Sequence, residues 1–325
     1  MKRLLVLLAI VASLAAVRAG GQPQGPFAYV SNEKANSVTV IDTATDRVVR
    51  TISVGPRPRG LDIVRGRLYV ALSDDRPQHT SDRDAIAAVD PATGKVLARY
   101  EAGTDPERLA VSRDGSRLYA ANEDAGTATV TDVATRRILA TLVVGIEPEG
   151  VALSPDGRWV YVTAETSNTV SVIDTAALKV VSNFLVDPRP RDAAFSPDGR
   201  RAYVTAEIGG SVSVVDVAQH RVIATIELPS PAKPVGVVVS PDNRFVYVAN
   251  GHGNSVAVID AESLKVAATV PVGRRPWGIA VTPDGRKLYT ANGLSGDVSV
   301  VDVAKRVAVT TIRTGDGAWG VVIDR

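Results

Sequence analysis

The chain of 325 residues contains no cysteine. Disulfide staples, c-type haem attachment and thiolate metal centres are therefore excluded, and stability has to come from packing and from closure of the fold. Histidine is scarce as well. The three present, His79, His220 and His252, lie far apart, which argues against a histidine-rich zinc or copper centre. The apolar run at residues 4–17 has 14 residues, short of the ~20 that a helix needs to cross a bilayer. The nucleophile motif G-x-S-x-G, the zinc motif H-E-x-x-H and the Walker phosphate loop are all missing.

A strong charge of one sign is missing too. Lys2 and Arg3 precede the apolar run, and Val17-Arg18-Ala19 follows with small or tolerated residues at the cleavage positions. Residues 1–19 thus read as a secretory signal peptide, 20–26 as a short N-terminal extension, and the mature protein as exported and periplasmic or secreted. No cysteine follows the run, so no lipid anchor is expected. The formal charge is +2, from 37 basic and 35 acidic residues; removing Lys2, Arg3 and Arg18 leaves 34 against 35. That near-neutral balance disfavours nucleic-acid binding, which depends on a basic face.

What the chain does contain is a repeat of about 42 residues, seen most plainly at 275–315. Seven of the eight tyrosines mark it: Tyr29, Tyr69, Tyr119, Tyr161, Tyr203, Tyr247 and Tyr289. An aspartate follows each, at Asp42, Asp90, Asp132, Asp174, Asp216, Asp260 and Asp302, 13 residues on in every repeat but the second, where the spacing is 21. Alternating, β-branched stretches such as Ser171-Val172-Ile173 read as strands, four per repeat. Ser154-Pro155-Asp156-Gly157 reads as a tight hairpin and recurs at 196–199, 240–243 and 282–285, with a variant at 112–115. The repeat aspartates read as Asx turns before the fourth strand.

This period predicts an all-β, seven-bladed β-propeller over residues 27–325, with four antiparallel strands per blade. The chain stops where other repeats enter the hairpin and starts just after it, so the C-terminal strand should close the N-terminal blade. A monomer is expected.

The segments Tyr161-Val162-Thr163-Ala164, Tyr203-Val204-Thr205-Ala206 and Tyr247-Val248-Ala249-Asn250 resemble the YVTN-repeat seven-bladed propellers, and no blade ends in the Trp-Asp of WD40 repeats. The stretches YVSNEKANSVTVIDT (29–43), VGIEPEGVALSPDG (144–157), VDPRPRDAAFS (186–196), AEIGGSVSVVDV (206–217) and VGRRPWGIAVTPDGRKLYTANG (272–293) look like the subgroup associated with PQQ-dependent alcohol catabolism. The resemblance implies an exported, non-catalytic accessory protein working beside a quinoprotein dehydrogenase, with a protein partner or a small planar anionic ligand. It assigns the chain itself no cofactor. Departures are an insertion after Asp75, a shortened first hairpin at Val64-Arg65-Gly66, and Gly317-Ala318-Trp319-Gly320 in place of Pro-x-Gly.

Function should sit at the channel mouth, ringed by Arg59, Glu107, Glu149, Arg191, Val235, Trp277 and Trp319, under an outer acidic layer of Glu33, Asp74, Glu123, Glu165 and Glu207. Trp277 and Trp319 serve either as a stacking platform, with Arg59 and Arg191 meeting carboxylates of a ligand, or as a plug of the mouth. Arg59 with Glu107, and Glu149 with Arg191, are neighbours that can neutralise each other. The acidic layer either binds Ca²⁺ or is simply solvated; no D-x-D-x-D-G loop is present, and no metal is assigned. A lactonase-like hydrolase is the enzyme alternative, and it requires Glu107, Glu149 and His79 to converge. Nucleic-acid binding is the remaining one.

Overall fold

A computed structural model describes residues 25–74 and 84–324. The expected signal peptide, most of the 20–26 extension and the inserted loop with His79 lie outside the described residues. Every regular element among the described residues is a strand, and these form seven four-stranded antiparallel sheets. The chain is a seven-bladed β-propeller. Six blades are continuous in sequence. In the first, Ala318–Ile323 joins Phe27–Asn32 as the innermost strand, with Tyr29 opposite Val322 and Val30 opposite Val321. The seam is pinned by Phe27 N–H donating to Asp324 Oδ1 at 2.6 Å and Asp324 N–H donating to Phe27 O at 3.0 Å.

The tyrosines recur because each lies in a second strand facing the next blade. All seven are buried, and the apolar core falls into seven clusters, each formed by two adjacent blades. Burying a large side chain contributes roughly 1.5–3 kcal/mol. No blade can bury its faces alone, so ring closure and stability are the same event.

The hairpins are built as the residues require. Ser154 Oγ donates to Asp156 Oδ1 at 2.6 Å, and the same bond recurs at Ser112–Asp114, Ser196–Asp198, Ser240–Asp242 and Thr282–Asp284. Gly157 closes the turn at φ +75°. The shortened hairpin of blade two has Arg65 and Gly66 both at positive φ, between paired Val64 and Arg67. That is the primed two-residue turn that suits strand twist. The repeat aspartates do cap the outer hairpins: Asp174 Oδ1 accepts from Ala176 and Ala177 N–H at 2.9 and 2.8 Å.

Candidate functional site: the charged channel mouth

Each innermost strand begins at the proline or alanine of the P-x-G stretch: Ala318–Ile323, Pro58–Val64, Pro106–Val111, Pro148–Leu153, Pro190–Phe195, Pro234–Val239 and Pro276–Val281, for blades one to seven. Each breaks register with its neighbour in that first turn. A bulge of this kind re-aims a side chain. Here it presents the second residue of the strand at the mouth. In the five blades that have one, the following glycine lets adjacent blades touch: a Cβ at Gly278 would stand 2.7 Å from the Trp319 carbonyl oxygen. Ser31 bridges the seam, accepting from Gly320 N–H at 2.9 Å and donating to Arg59 O at 2.6 Å.

The residue before each strand is held at positive φ, at Arg57, Asp105, Glu147, Arg189, Lys233, Arg275 and Gly317. Its carbonyl accepts from the residue that follows the second strand, as in Glu123 N–H to Asp105 O at 3.0 Å and Glu207 N–H to Arg189 O at 2.8 Å. This link places the acidic layer over the ring. In blade two the residue in that register is Ser73 rather than Asp74, because the strand ends at Leu72, and Arg57 Nη1 donates to Ser73 Oγ at 3.0 Å.

Two charged sectors result. In the first, Glu33 Oε1 is shared by Arg57 Nε at 3.1 Å and Arg59 Nε at 3.0 Å. Arg59 Nη1 bonds Glu107 Oε1, and Arg57 Nη1 bonds Asp105 Oδ1 at 2.7 Å. Glu123 stands farther off, 4.0 Å from Arg59 Nη1. Burial, with the charges of Glu149 and Asp105, pushes the Glu123 carboxyl up to about 7, against the pull of Arg59 and Arg191. Asp105, Glu107 and Glu123 bring one oxygen each within 4.8 Å of one another.

The second sector is more closed. Arg191 bonds Glu165, stands 3.1 Å from Glu149 and lies 3.6 Å from Glu207. Arg189 Nε reaches Glu165 at 2.7 Å, and Arg275 Nη2 reaches Glu207 at 3.0 Å. Three carboxylates meet three guanidiniums here. A depression of about 450 Å³ lies above this sector, lined by Glu147, Glu165, Arg189 and Ile208 among others.

Between the sectors, Trp277 and Trp319 stack with centroids 6.3 Å apart and planes at 18°. Trp319 is only 2% exposed, and Trp277 is partly exposed. Both carry the chain's own guanidiniums: Arg275 and Arg191 lie 4.4 and 5.2 Å from the Trp277 ring, Arg108 and Arg59 lie 4.8 and 5.6 Å from that of Trp319. Cation–π attraction and ion pairing therefore act on the same arginines. Room for the indole is made by subtraction. Where blades one, three, four and five carry a glutamate of the outer layer, blade seven has Gly293, and a Cβ there would meet Trp277 Cδ1 at 2.6 Å.

The structure thus gathers Arg59, Glu107, Glu149, Arg191, Trp277 and Trp319 on one mouth, with Glu33, Glu123, Glu165 and Glu207 above them, and the neighbours Arg59–Glu107 and Glu149–Arg191 form ion pairs. Val235 is fully buried. Sequence reasoning overlooked Arg57, Asp105, Arg189 and Arg275, although the residue before P-x-G is charged in the six blades that carry a proline there. It also overlooked Arg108 and Asp192, which stand where the other five blades have glycine. Arg108 Nη1 and Asp192 Oδ2 are 3.4 Å apart; burial pushes the Asp192 carboxyl up, and Arg108 opposes that.

Residues 187–313 match a family model described as lactonase, 7-bladed β-propeller, and residues 78–192 match the cytochrome D1 haem domain. No curated protein sequence matches the chain. Among solved structures, a hydrazine synthase chain of Kuenenia stuttgartiensis is 21% identical, covers 90% of this chain and 99% of its own, and superposes with a TM-score of 0.76. A putative 6-phosphogluconolactonase of Bacteroides fragilis is 19% identical over 92% of this chain and 98% of its own, with a TM-score of 0.76. A functionally unknown protein of Desulfotomaculum acetoxidans gives 18%, 91%, 98% and 0.76. Likeness at these identities is likeness of fold.

Proposed function

We propose that the chain is an exported ligand-binding propeller, an accessory to a periplasmic PQQ-dependent alcohol oxidation system, whose mouth receives a small polar or anionic molecule or a polar segment of a partner protein. The carrying observation is a group of buried polar atoms on the mouth without a hydrogen-bond partner: Glu107 Oε2, Arg108 Nε and Arg108 Nη2, with Glu149 Oε1, Arg191 Nε and Glu207 Oε2 in the second sector. A buried polar atom left unmatched costs about 1–3 kcal/mol, more for charged groups, so a guest bearing hydroxyls or carboxylates gains what the chain leaves unmade. Arg108 Nε and Nη2 form one edge of a guanidinium, the edge that takes a carboxylate in bidentate fashion. Calorimetric titration with small carboxylates, sugar acids and pyrroloquinoline quinone tests this. Binding should appear for a carboxylate and be lost in Arg108→Met. Absence of heat across the panel, together with unimpaired alcohol-dependent respiration in a deletion strain, would remove the reading.

A hydrolytic second reading has one observation of its own. The Glu123 carboxyl, poised near neutrality beside Glu107 and Asp105, suits a general base that activates water. The lactonase family model and the putative 6-phosphogluconolactonase point to a sugar lactone as the substrate to try. Proton release from gluconolactone and its 6-phosphate, measured in a pH-stat, decides: no acceleration over buffer ends this reading.

A further inference from the structure

Four carboxylates of the first sector, Glu33, Asp105, Glu107 and Glu123, share two guanidiniums, Arg57 and Arg59, whereas the second sector matches Glu149, Glu165 and Glu207 with Arg189, Arg191 and Arg275. Among the described residues carboxylates therefore outnumber guanidiniums in the first sector, and Glu123 is the one farthest from a cation, 4.0 Å from Arg59 Nη1. Glu107 adds a second, independent observation. It is 0% exposed, Arg59 occupies its Oε1, and its Oε2 accepts no hydrogen bond. A carboxylate oxygen sealed from solvent without a donor is unfavourable unless a cation meets it.

We infer that Asp105, Glu107 and Glu123 of blade three form a binding site for a hard divalent cation of the calcium class. All three ligands are carboxylates, with no histidine or thiolate, which selects calcium, magnesium or manganese over zinc and copper. Coordination narrows the choice. Three protein carboxylates, one of them sealed from solvent, suit the flexible all-oxygen shell of calcium better than magnesium, which dehydrates reluctantly and usually keeps several waters on one or two carboxylates. Glu107 closes the buried side, and Asp105 and Glu123 remain partly exposed, so solvent can complete the shell. The three ligands come from two rigid strand ends tied by the Glu123 N–H to Asp105 O bond, so binding needs no loop to fold. A dication would meet the surplus carboxylate while leaving the Arg57–Asp105 and Arg59–Glu107 pairs in place.

This inference does not rest on the accessory reading, and its test uses the ion alone. Full-length protein, stripped with chelator, is titrated calorimetrically with calcium chloride at constant ionic strength, with magnesium chloride as a parallel arm. One ion per chain is expected, with magnesium weaker. Glu123→Gln should weaken calcium by roughly tenfold or more, as removal of a charged ligand does, and Glu262→Gln, an exposed carboxylate outside the sector, should match the parent. Glu107→Gln should do the same as Glu123→Gln; if it fails to fold, the partly exposed Glu123 carries the test. No heat up to millimolar calcium, or an unchanged affinity in Glu123→Gln, overturns the site. Magnesium binding more tightly than calcium overturns the calcium assignment.

Discussion

The two faces of this ring are made from the same repeats, yet they teach opposite lessons. On the hairpin face five blades present the same bond between a hydroxyl and an aspartate two residues on, at 2.6 Å each time. On the mouth face the same strands present arginine, glutamate, valine or tryptophan at one position. Recurrence marks what the fold needs in every blade. Divergence marks what only one place in the ring needs. The faces also differ in how their polar groups are satisfied: the recurring hydroxyl–aspartate bond stays within each hairpin, with Asp198 N–H to Asn243 Oδ1 at 3.1 Å a link between two of them, whereas mouth charges find partners tens of residues away, such as Arg59 and Glu107 or Arg275 and Glu207.

That difference predicts unequal sensitivity. The largest effect is expected at Arg191, whose removal leaves Glu149 buried without its cation and Glu165 with Arg189 alone. Arg191→Ala should destabilise by about 3–5 kcal/mol or prevent folding, the range for breaking one half of a buried pair. Chemical denaturation of the variant beside the parent measures it. A loss under about 1 kcal/mol, the range of exposed pairs, would put the mouth on a par with ordinary surface charge.

Next in size is Gly293→Ala. Its Cβ falls 2.6 Å from Trp277 Cδ1, so the indole must move or the bulge must give. Overpacking of this kind costs roughly 1–3 kcal/mol. A shifted tryptophan emission together with lowered stability is the expected outcome. The same exchange at Gly157 also costs stability, since that turn sits at φ +75°, but leaves emission unchanged because nothing lies within 4 Å of its Cβ.

How much of this was legible beforehand follows the same division. The tyrosine register, the hairpins and the closing strand could be read because each signal appears several times, and copies corroborate one another. The ring from Arg59 to Trp319 could be read from P-x-G by the same logic. The inward reach of Arg57 and Arg275 could not, because it depends on a positive φ before the strand, and that angle is invisible in a residue other than glycine. Gly293 was hard to read for a different reason: it acts through a side chain it lacks. Arg108 and Asp192 are the missed signals that could have been caught, since each interrupts the P-x-G pattern. Asp74 was placed one residue out because the second blade's strand ends at Leu72, so Ser73 takes the outer-layer position.

A smaller effect belongs to single hairpins. Asp156→Ala removes bonds from Ser154 Oγ and Arg158 N–H on an exposed turn, and should cost about 0.5–1 kcal/mol. Combined with Asp284→Ala, three blades along the ring, the losses should add to within roughly 0.5 kcal/mol. Strong non-additivity would mean that the hairpin face is coupled around the ring, as the mouth is, and would erase the contrast.

The smallest effect, and the one that sets the faces apart by sign, is the response to acid. Hairpin aspartates are held below the usual carboxylate range, chiefly by the hydroxyl bond: Asp114 is held at about 2 by Ser112, and Asp156, Asp198, Asp242 and Asp284 are lowered in the same direction. A depressed carboxylate stabilises the fold above its unfolded value, near 3.8, and that contribution is lost as pH falls through the folded value. The hairpin face should therefore weaken between about pH 4 and about pH 2. Asp192 at the mouth runs the other way. Burial raises it, with Glu149 adding to the rise while Arg108 and the N–H groups of Val237 and Ala193 oppose it. A raised carboxylate contributes stability below its unfolded value and loses it as pH rises through the folded one. Melting temperatures recorded from pH 2 to 7 separate the two. Ser112→Ala should flatten the acid limb alone, because it removes the donor that holds Asp114 down, and Asp192→Asn should flatten only the slope above about pH 4. If both variants change the same limb, the two faces do not titrate independently.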